Sequence, residues 1–527
     1  MIIHNALHFI DYGIIGFYLL FVIGLGLWIG RKHEGAEDYF LAGRSMTWIF
    51  VGVSLFASNI SSTTLIGLAG DAYSTGISVF NYEWMASVVL VFFAVFLLPF
   101  LLRAQVYTLP EYLGLRFGTF ARKYFSGLSL FLNIFVDTAG SLYAGAIVLR
   151  LIFPGIDMGL IIAALALFAG IYTLAGGLAA VIYTDFIQTV FLLIGAVVIS
   201  VVAFTQVGGW EGMTAGLSEH HLSLIRPVND AAVPWPGLLF GVPILGFYFW
   251  CTNQFMAQRV LSAKNLNHGR GGLLLAGVLK LPVLFIMVLP GTMAIHLYPE
   301  LPEADLVYPT LMFDLLPTGL LGLCLAGFIA ALMSQIDSTL NAASTLVTMD
   351  FVRPARPALT QRQLMGIGRI VTALFMLLAA WWAPQIERFA SLFRYLQQVL
   401  AYTVPPIVVL YLAGIFSRRA NRRGSAVCLI AGTAAGLVLF LCNAVFDVYS
   451  IHFLYIAPIL CVVSVVALVI GSRIGAPPAA EQLDACWTPR FFKQESADLK
   501  TVPWFRNYRI WAAILLILTA WLVFAFR

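Results

Sequence analysis

Apolar residues along this chain come in blocks rather than in amphipathic stripes. Runs of about 20 residues with few charges, the length that crosses a bilayer core, recur fourteen times, at roughly 11–30, 49–71, 79–102, 124–150, 157–175, 181–205, 236–257, 272–297, 316–346, 366–384, 390–416, 424–446, 451–472 and 509–526. The loops between them are mostly short, and none is large enough for a soluble catalytic domain. The pattern predicts an all-α polytopic membrane protein of about 14 transmembrane helices. Composition agrees: 61% of residues are hydrophobic and 10% charged, and the mean hydropathy is +0.92, outside the range of soluble domains.

Charge adds topology. Of the 30 Lys and Arg, 24 fall in alternate loops, bounded by Arg31 to Arg44, Arg103 to Lys123, Arg259 to Arg270, Arg353 to Arg369, Arg418 to Arg423 and Arg473 to Arg509. The opposite loops carry Arg150, Arg226, Arg388 and the terminal Arg527. This asymmetry predicts that both termini lie outside, and an odd number of missed spans would have scrambled it. The net charge of +5 then reads as a solvated cytoplasmic rim that orients the protein, with no implication of nucleic acid. The six cysteines sit mostly inside spans, with no CxxC pair and no His cluster at metal-ligand spacing. The amino terminus lacks a basic leader and a small-residue cleavage site, so the first apolar run reads as a retained span.

One span is polar in its middle. SNISSTTLIG, Ser58 to Gly67, is followed by a glycine-containing stretch that makes a continuous helix unfavourable. Non-helical backbone survives in a membrane only where protein buries it or where it lines a wet cavity. Freed carbonyls beside hydroxyls suit a dehydrated Na⁺, and transporter sites are built at such breaks. The alternative is that Ser and Thr bond back onto their own helix and pack against a neighbour. Ionisable groups inside other spans (Glu83, Asp137, Asp185, Lys280, Asp337 and Arg394) are costly there, and mark ion or substrate pathways or structural pairs.

Several longer motifs carry a resemblance: EDYFLAGRSMTW (37–48), ASNISS (57–62), YEWMA (82–86), YTLPEYLGLRFG (107–118), GGLAAVIYTDFIQ (176–188), WPGLLFG with NQFMAQRVLSAKN (235–265), KLPVLFIMVLPG (280–291) and STLNAASTLVTMD (338–350). In this order and spacing the chain resembles the sodium–solute symporter family, and within it the sodium–glucose cotransporter branch in its bacterial-type form, as far as about Arg423. The resemblance implies a leucine-transporter-type fold with two five-helix inverted repeats, in which spans two and seven are broken. The chain then divides into a first transmembrane helix and linker (1–48), the first repeat with the start of the second (49–257), the remainder of the second (258–417), and peripheral C-terminal helices (418–527) with a cytoplasmic loop at 473–508.

The resemblance also implies a site. Sodium would be held by the carbonyls of Ala57, Ile60 and Ala331 and the hydroxyl of Ser334. Gln335 stands where the family often has a second hydroxyl; its amide oxygen would coordinate instead, or Asp337 would bring charge. Ala331 and Ser334, three apart, share a helix face. Asp185 matches the family's acid on the sodium exit path, and Ala331, in place of the Ser of two-sodium members, implies one Na⁺ per cycle. Substrate contacts would come from Glu83, Lys280 and Gln397, with Thr64 and Asp137 where the branch has other polar residues. Gates would be Leu68, Tyr82, Phe249 and Phe393.

Gly246 and Ala86 replace polar contacts, which implies a roomier pocket. Arg394 could meet a carboxylate bidentately, so an acidic sugar such as a uronate is an alternative cargo; otherwise Arg394 would pair with Glu387 or Asp137. The expected partners are a small sugar or sugar acid, Na⁺ and membrane lipid, with no nucleic acid, in a monomer or weak oligomer. The expected function is sodium-coupled sugar import across a bacterial inner membrane, without organic cofactor or enzyme activity. Its rivals are symport of another small organic solute and a sodium-dependent nutrient sensor.

Overall fold

The computed structural model describes residues 7–30, 36–153, 155–388, 392–446, 448–484 and 486–527. Among these the chain is almost entirely helical and contains no β-strand. Nine helices are long and apolar enough to cross a membrane, three further spans are bent helix pairs, and two shorter apolar helices, Phe9–Val22 and Met158–Ala169, complete the set. Each matches one of the fourteen apolar runs. The protein is a multi-pass membrane protein.

The first helix, α1 (Phe9–Gly30), lies outside the first bent pair, α2 (Trp48–Asn59) and α3 (Ser62–Thr75). These two meet at 56°. The other bends, 42° between Leu266–Lys280 and Leu284–Leu297 and 55° between Leu392–Thr403 and Pro405–Phe416, sit at Pro282 and at Pro405 with Pro406, where missing N–H groups and ring clashes disrupt a helix. No proline stands at the α2–α3 break. There Ile60 leaves the helical region (φ −82°, ψ 69°) and Ser61 is extended. The Thr64 hydroxyl donates to the Asn59 carbonyl at 2.5 Å, and Ser61 and Thr63 share a hydrogen bond of 2.6 Å. Local side-chain bonds of this kind offer the backbone a substitute for helical bonds.

Next come α4 (Asn81–Phe92) and α5 (Met158–Val207), 50 residues of continuous helical bonding that cover two expected spans. A Cβ at Gly145 would meet both Leu165 and Leu332, while Ser334 is bonded to Asp185. Residues 165 and 185 are therefore closer than the ~30 Å of a straight helix, and α5 bends back on itself. The seventh span ends in a π-helical turn, Tyr248–Thr252, and a single extended residue, Asn253, separates it from α6 (Gln254–Leu261). Asn253 caps α6 by accepting from the Phe255 N–H at 3.3 Å.

α7 (Leu266–Lys280) packs on α2 and α4. α8 (Leu320–Leu346) is buried on nearly every face and packs against α5 and α1, so its polar residues, Ser334, Gln335 and Asp337 among them, lie inside the bundle. α9 (Leu392–Thr403) follows. The helices Arg422–Phe440, Phe453–Ile474 and Tyr508–Ala525 lie at the periphery and expose Ile430, Val462, Ile470 and Trp521, as lipid-facing surfaces do.

The basic rim is less solvated than the charge pattern predicts. Arg116, Arg259 and Arg270 are buried. Arg116 donates to the carbonyls of Gly414 and Ser417. In the 473–508 loop, α10 (Pro489–Lys500) presents Glu495 to Arg270 and to Arg509, the latter at 2.5 Å, so this loop docks on the bundle. The start of α2 lies at the same end, where Lys264 N–H donates to Met46 at 2.9 Å. The end of α3 lies opposite, where the Arg226 guanidinium donates to the Thr75 carbonyl at 2.5 Å.

Candidate transport site

A cavity of about 100 Å³ sits at the α2–α3 break, enclosed by α3, α4, α8, α9 and the π-helical segments that carry Asp137 and Phe249. Its polar lining includes Thr64, Glu83, Asp137, Gln335 and Gln397, beside Ser58 and Asn59 of the break. Aromatic rings close it: Tyr82, Phe249, Trp250 and Phe393. Tyr82 and Phe393 meet edge to face, with centroids 5.2 Å apart at 79°, and Phe393 packs on Gly67. A larger, open groove of about 550 Å³ beside Trp28 and Phe50 is mostly apolar, with Asp38, Ser45 and Tyr183 as the polar side chains among its described lining. The central cavity gathers more polar groups and is the better binding site.

The structure thus brings together eight of the residues singled out in sequence: Thr64, Tyr82, Glu83, Asp137, Phe249, Gln335, Phe393 and Gln397. Lys280 is next to the lining. Its ammonium is fully buried 2.5 Å from Glu83 and lies over the rings of Trp250 and Phe56 at 5.3 and 5.6 Å. Lys280 neutralises Glu83 and fixes its orientation, because a buried carboxylate without a partner is strongly disfavoured. Asp137 faces Asn253 at the second break. Gly246 lines the cavity, whereas Ala86 and Leu68 are buried elsewhere.

Arg394 is not among the lining residues. It lies within electrostatic range of Asp71, at the end of the bundle opposite the basic rim. Its expected partners are engaged differently: Glu387 is 3.7 Å from Arg150, and Asp137 faces Asn253. One residue along a helix turns a side chain by about 100°, so Phe393 can close the cavity while Arg394 points away from it.

Three of the expected sodium ligands also converge. Ala57, Ile60 and Ala331 line a separate void of about 10 Å³ on the other side of the break, together with Phe56, Gln188, Thr189 and Leu192. That is about the space of one water. Ser334 and Gln335 are not in its lining. The Ser334 hydroxyl donates to Asp185, and Gln335 lines the central cavity.

Asp185 is the hub of a fully buried network towards the basic rim. It accepts from Ser54 at 2.5 Å and from Arg259 at 3.1 Å. Arg259 also donates to Ser54 at 2.7 Å, to Ser338 at 2.5 Å and to the Phe255 carbonyl at 2.7 Å. Reading Arg259 as part of the solvated rim is therefore corrected: it closes the bundle beneath the ion-sized void. A signal was present in its place on NQFMAQRV, directly after the second break, but charge counting alone assigns it to a loop.

This chain matches the family model described as sodium:solute symporter family over residues 39–432, and it belongs to that family. It is 38% identical to the human sodium/myo-inositol cotransporter 2, over 90% of this chain and 78% of that protein. It is 36% identical to the mouse sodium/glucose cotransporter 1, over 93% and 82%. Its fold superposes on a Na⁺-coupled sialic acid symporter in a substrate-bound outward-open state with a TM-score of 0.78 at 24% identity, covering 90% of this chain and 99% of the other. It also superposes on Mhp1, a nucleobase-cation-symport-1 family transporter, with a TM-score of 0.55 at 15% identity, covering 85% and 97%. These likenesses define the fold as the leucine-transporter type.

Proposed function

We propose that this protein is a sodium-coupled secondary active symporter that imports a neutral sugar or polyol by alternating access. The observation that carries the proposal is one broken helix serving two sites: a polar cavity on one side of the α2–α3 break and an ion-sized void on the other. A cation drawn to the carbonyls of Ala57, Ile60 and Ala331 orders the same backbone that presents Ser58, Asn59 and Thr64 to the substrate. Coupling is then a free energy shared between the sites, and each ligand tightens the other by the same factor. One Na⁺ per cycle fits a void of this size, and the membrane potential contributes about 2.3 kcal/mol per charge per 100 mV.

A neutral cargo is favoured by the lining. Glu83 and Asp137 are acidic, the ammonium of Lys280 is taken by Glu83, and Arg394 is not in the lining. Hydroxyls satisfy carboxylates and amides, whereas a uronate would meet Asp137 with the Lys280 ammonium already taken by Glu83. The relatives' names, sodium/myo-inositol and sodium/glucose cotransporter, support the same class. Tyr82 and Phe393 act as the outer gate, Phe249 closes the inner side of the substrate, and Asp185 stands on the sodium exit path. The membrane is a bacterial inner membrane, with both termini outside. The chain needs no organic cofactor and performs no covalent chemistry.

Uptake into proteoliposomes with and without an inward Na⁺ gradient, across hexoses, inositols and uronates, tests the proposal. The expected result is Na⁺-driven accumulation of a neutral sugar or polyol. Accumulation of a uronate alone would refute neutral cargo, and Na⁺-dependent binding without accumulation would make the protein a sensor.

A further inference from the structure

We infer that Gln188, supported by Thr189, supplies the side-chain oxygen ligands of the coupling cation in this protein. The inference rests on the sodium coupling proposed above and identifies ligands that the motif resemblance places elsewhere.

The void at the break is short of ligands without them. A dehydrated Na⁺ needs several oxygens, because a bare charge away from water is very costly. The carbonyls of Ala57 and Ile60 receive no backbone hydrogen bond from across the break, and they sit at the carbonyl end of α2, where the helix dipole is negative. The two side chains expected to complete the site face elsewhere. Ser334 gives its proton to Asp185, and Gln335 lines the substrate cavity.

Gln188 occupies the vacant role. It lines the void, is 2% exposed, and its amide oxygen has no hydrogen-bond partner. Buried amide oxygens without partners are rare, and each calls for a cause. An oxygen held for a cation is such a cause. The Tyr18 hydroxyl of α1 faces the Gln188 amide; accepting from the nitrogen, it turns the oxygen towards the void. Thr189 donates to the Asp185 carbonyl at 2.7 Å, which leaves its oxygen lone pairs available. Gln188 and Thr189 lie three and four residues beyond Asp185, on the face of α5 that carries the acid.

The test uses the purified full chain. Thermal stabilisation by Na⁺, with choline as the replacement ion, is titrated for the wild type, Gln188→Met and Gln188→Glu. The expected outcome is a rise of about tenfold or more in the Na⁺ midpoint for Gln188→Met, a loss of roughly 1.4 kcal/mol. Gln188→Glu should keep a midpoint at or below that of the wild type and shift the preference between Li⁺ and Na⁺. A Gln188→Met midpoint within twofold of the wild type overturns the ligand assignment and leaves symport standing. A wild type that does not respond to Na⁺ overturns the sodium reading, and the assignment with it. Should Gln188→Met fail to fold, Gln188→Asn, which keeps the amide but withdraws its oxygen, is judged by the same criterion.

Discussion

The two ends of the bundle are closed by different chemistry. Towards the basic rim, Asp185 and Arg259 are both fully buried and are joined through Ser54, Ser334 and Ser338. At the other end, two rings, Tyr82 and Phe393, meet edge to face, with Asp71 and Arg394 nearby. The first closure is directional: each bond needs its partner in place, and a half-opened ion pair leaves a charge in low dielectric. The second is a contact whose strength changes little over a small displacement. One end therefore opens by the concerted loss of a network, and the other can open by the swing of a side chain. In a transporter that must never be open at both ends, a cooperative lock on one side suffices to make the other side's gate light.

The largest expected effect tests the lock. Arg259→Met alone should destabilise the protein by about 3–5 kcal/mol, because Asp185 is left buried and unpaired. Pairing it with Asp185→Leu should recover most of that stability without restoring transport. Thermal unfolding in detergent, alongside uptake, reads both. Full recovery of transport in the double variant would show that the ion pair is packing and no gate.

Within the cavity, Glu83→Gln should weaken substrate binding by about 10–100-fold, since a hydrogen bond to a charged group is worth roughly 1.5–3 kcal/mol, and should also lower the unfolding temperature, because the Lys280 ammonium is left buried without its carboxylate. The half-saturation concentration for the accumulated sugar measures this. An unchanged value would place the substrate away from Glu83. At the aromatic gate, Phe393→Leu keeps the apolar bulk and removes the ring pair, worth about 0.5–1.5 kcal/mol. It should lower apparent affinity by about 2–10-fold and leave the unfolding temperature nearly unchanged. If it destabilised the fold as much as Arg259→Met, the two closures would be equivalent and the contrast between them would fail.

The smallest effect is expected at Arg394. It is half-buried, and exposed ion pairs contribute about 0–1 kcal/mol. Arg394→Gln should change uptake less than about fivefold, with the change shrinking in high salt. A selective loss of uronate uptake would instead return Arg394 to the substrate.

Much of this was legible in sequence, for physical reasons that differ by region. Spans are legible because a bilayer demands about 20 apolar residues at each crossing, and among the described residues the fourteen runs became nine spanning helices, three bent pairs and two shorter apolar helices. The polar run marked the α2 region as unusual, but hydroxyls also bond back onto their own helix, so the break at Ile60 and Ser61 followed from the motif resemblance. The cavity residues followed from motif resemblance, and most of them converge. Arg259 misled because a charge near a helix end looks the same in sequence whether it is solvated or folded inward. Gln188 gave no signal beyond its place in YTDFIQ.

Local composition by itself determined where the apolar runs lie and which polar side chains fall inside them; which helix is interrupted came from the motif resemblance. Those properties depend on residues adjacent in the chain and on the solvent around them. The tertiary structure alone decided the partners: Lys280 with Glu83, Arg259 with Asp185, Asp71 beside Arg394, and Gln188 beside the carbonyls of a helix more than a hundred residues earlier. A buried charge or amide is stable only against a specific neighbour at a specific distance. That neighbour is set by how helices distant in sequence pack.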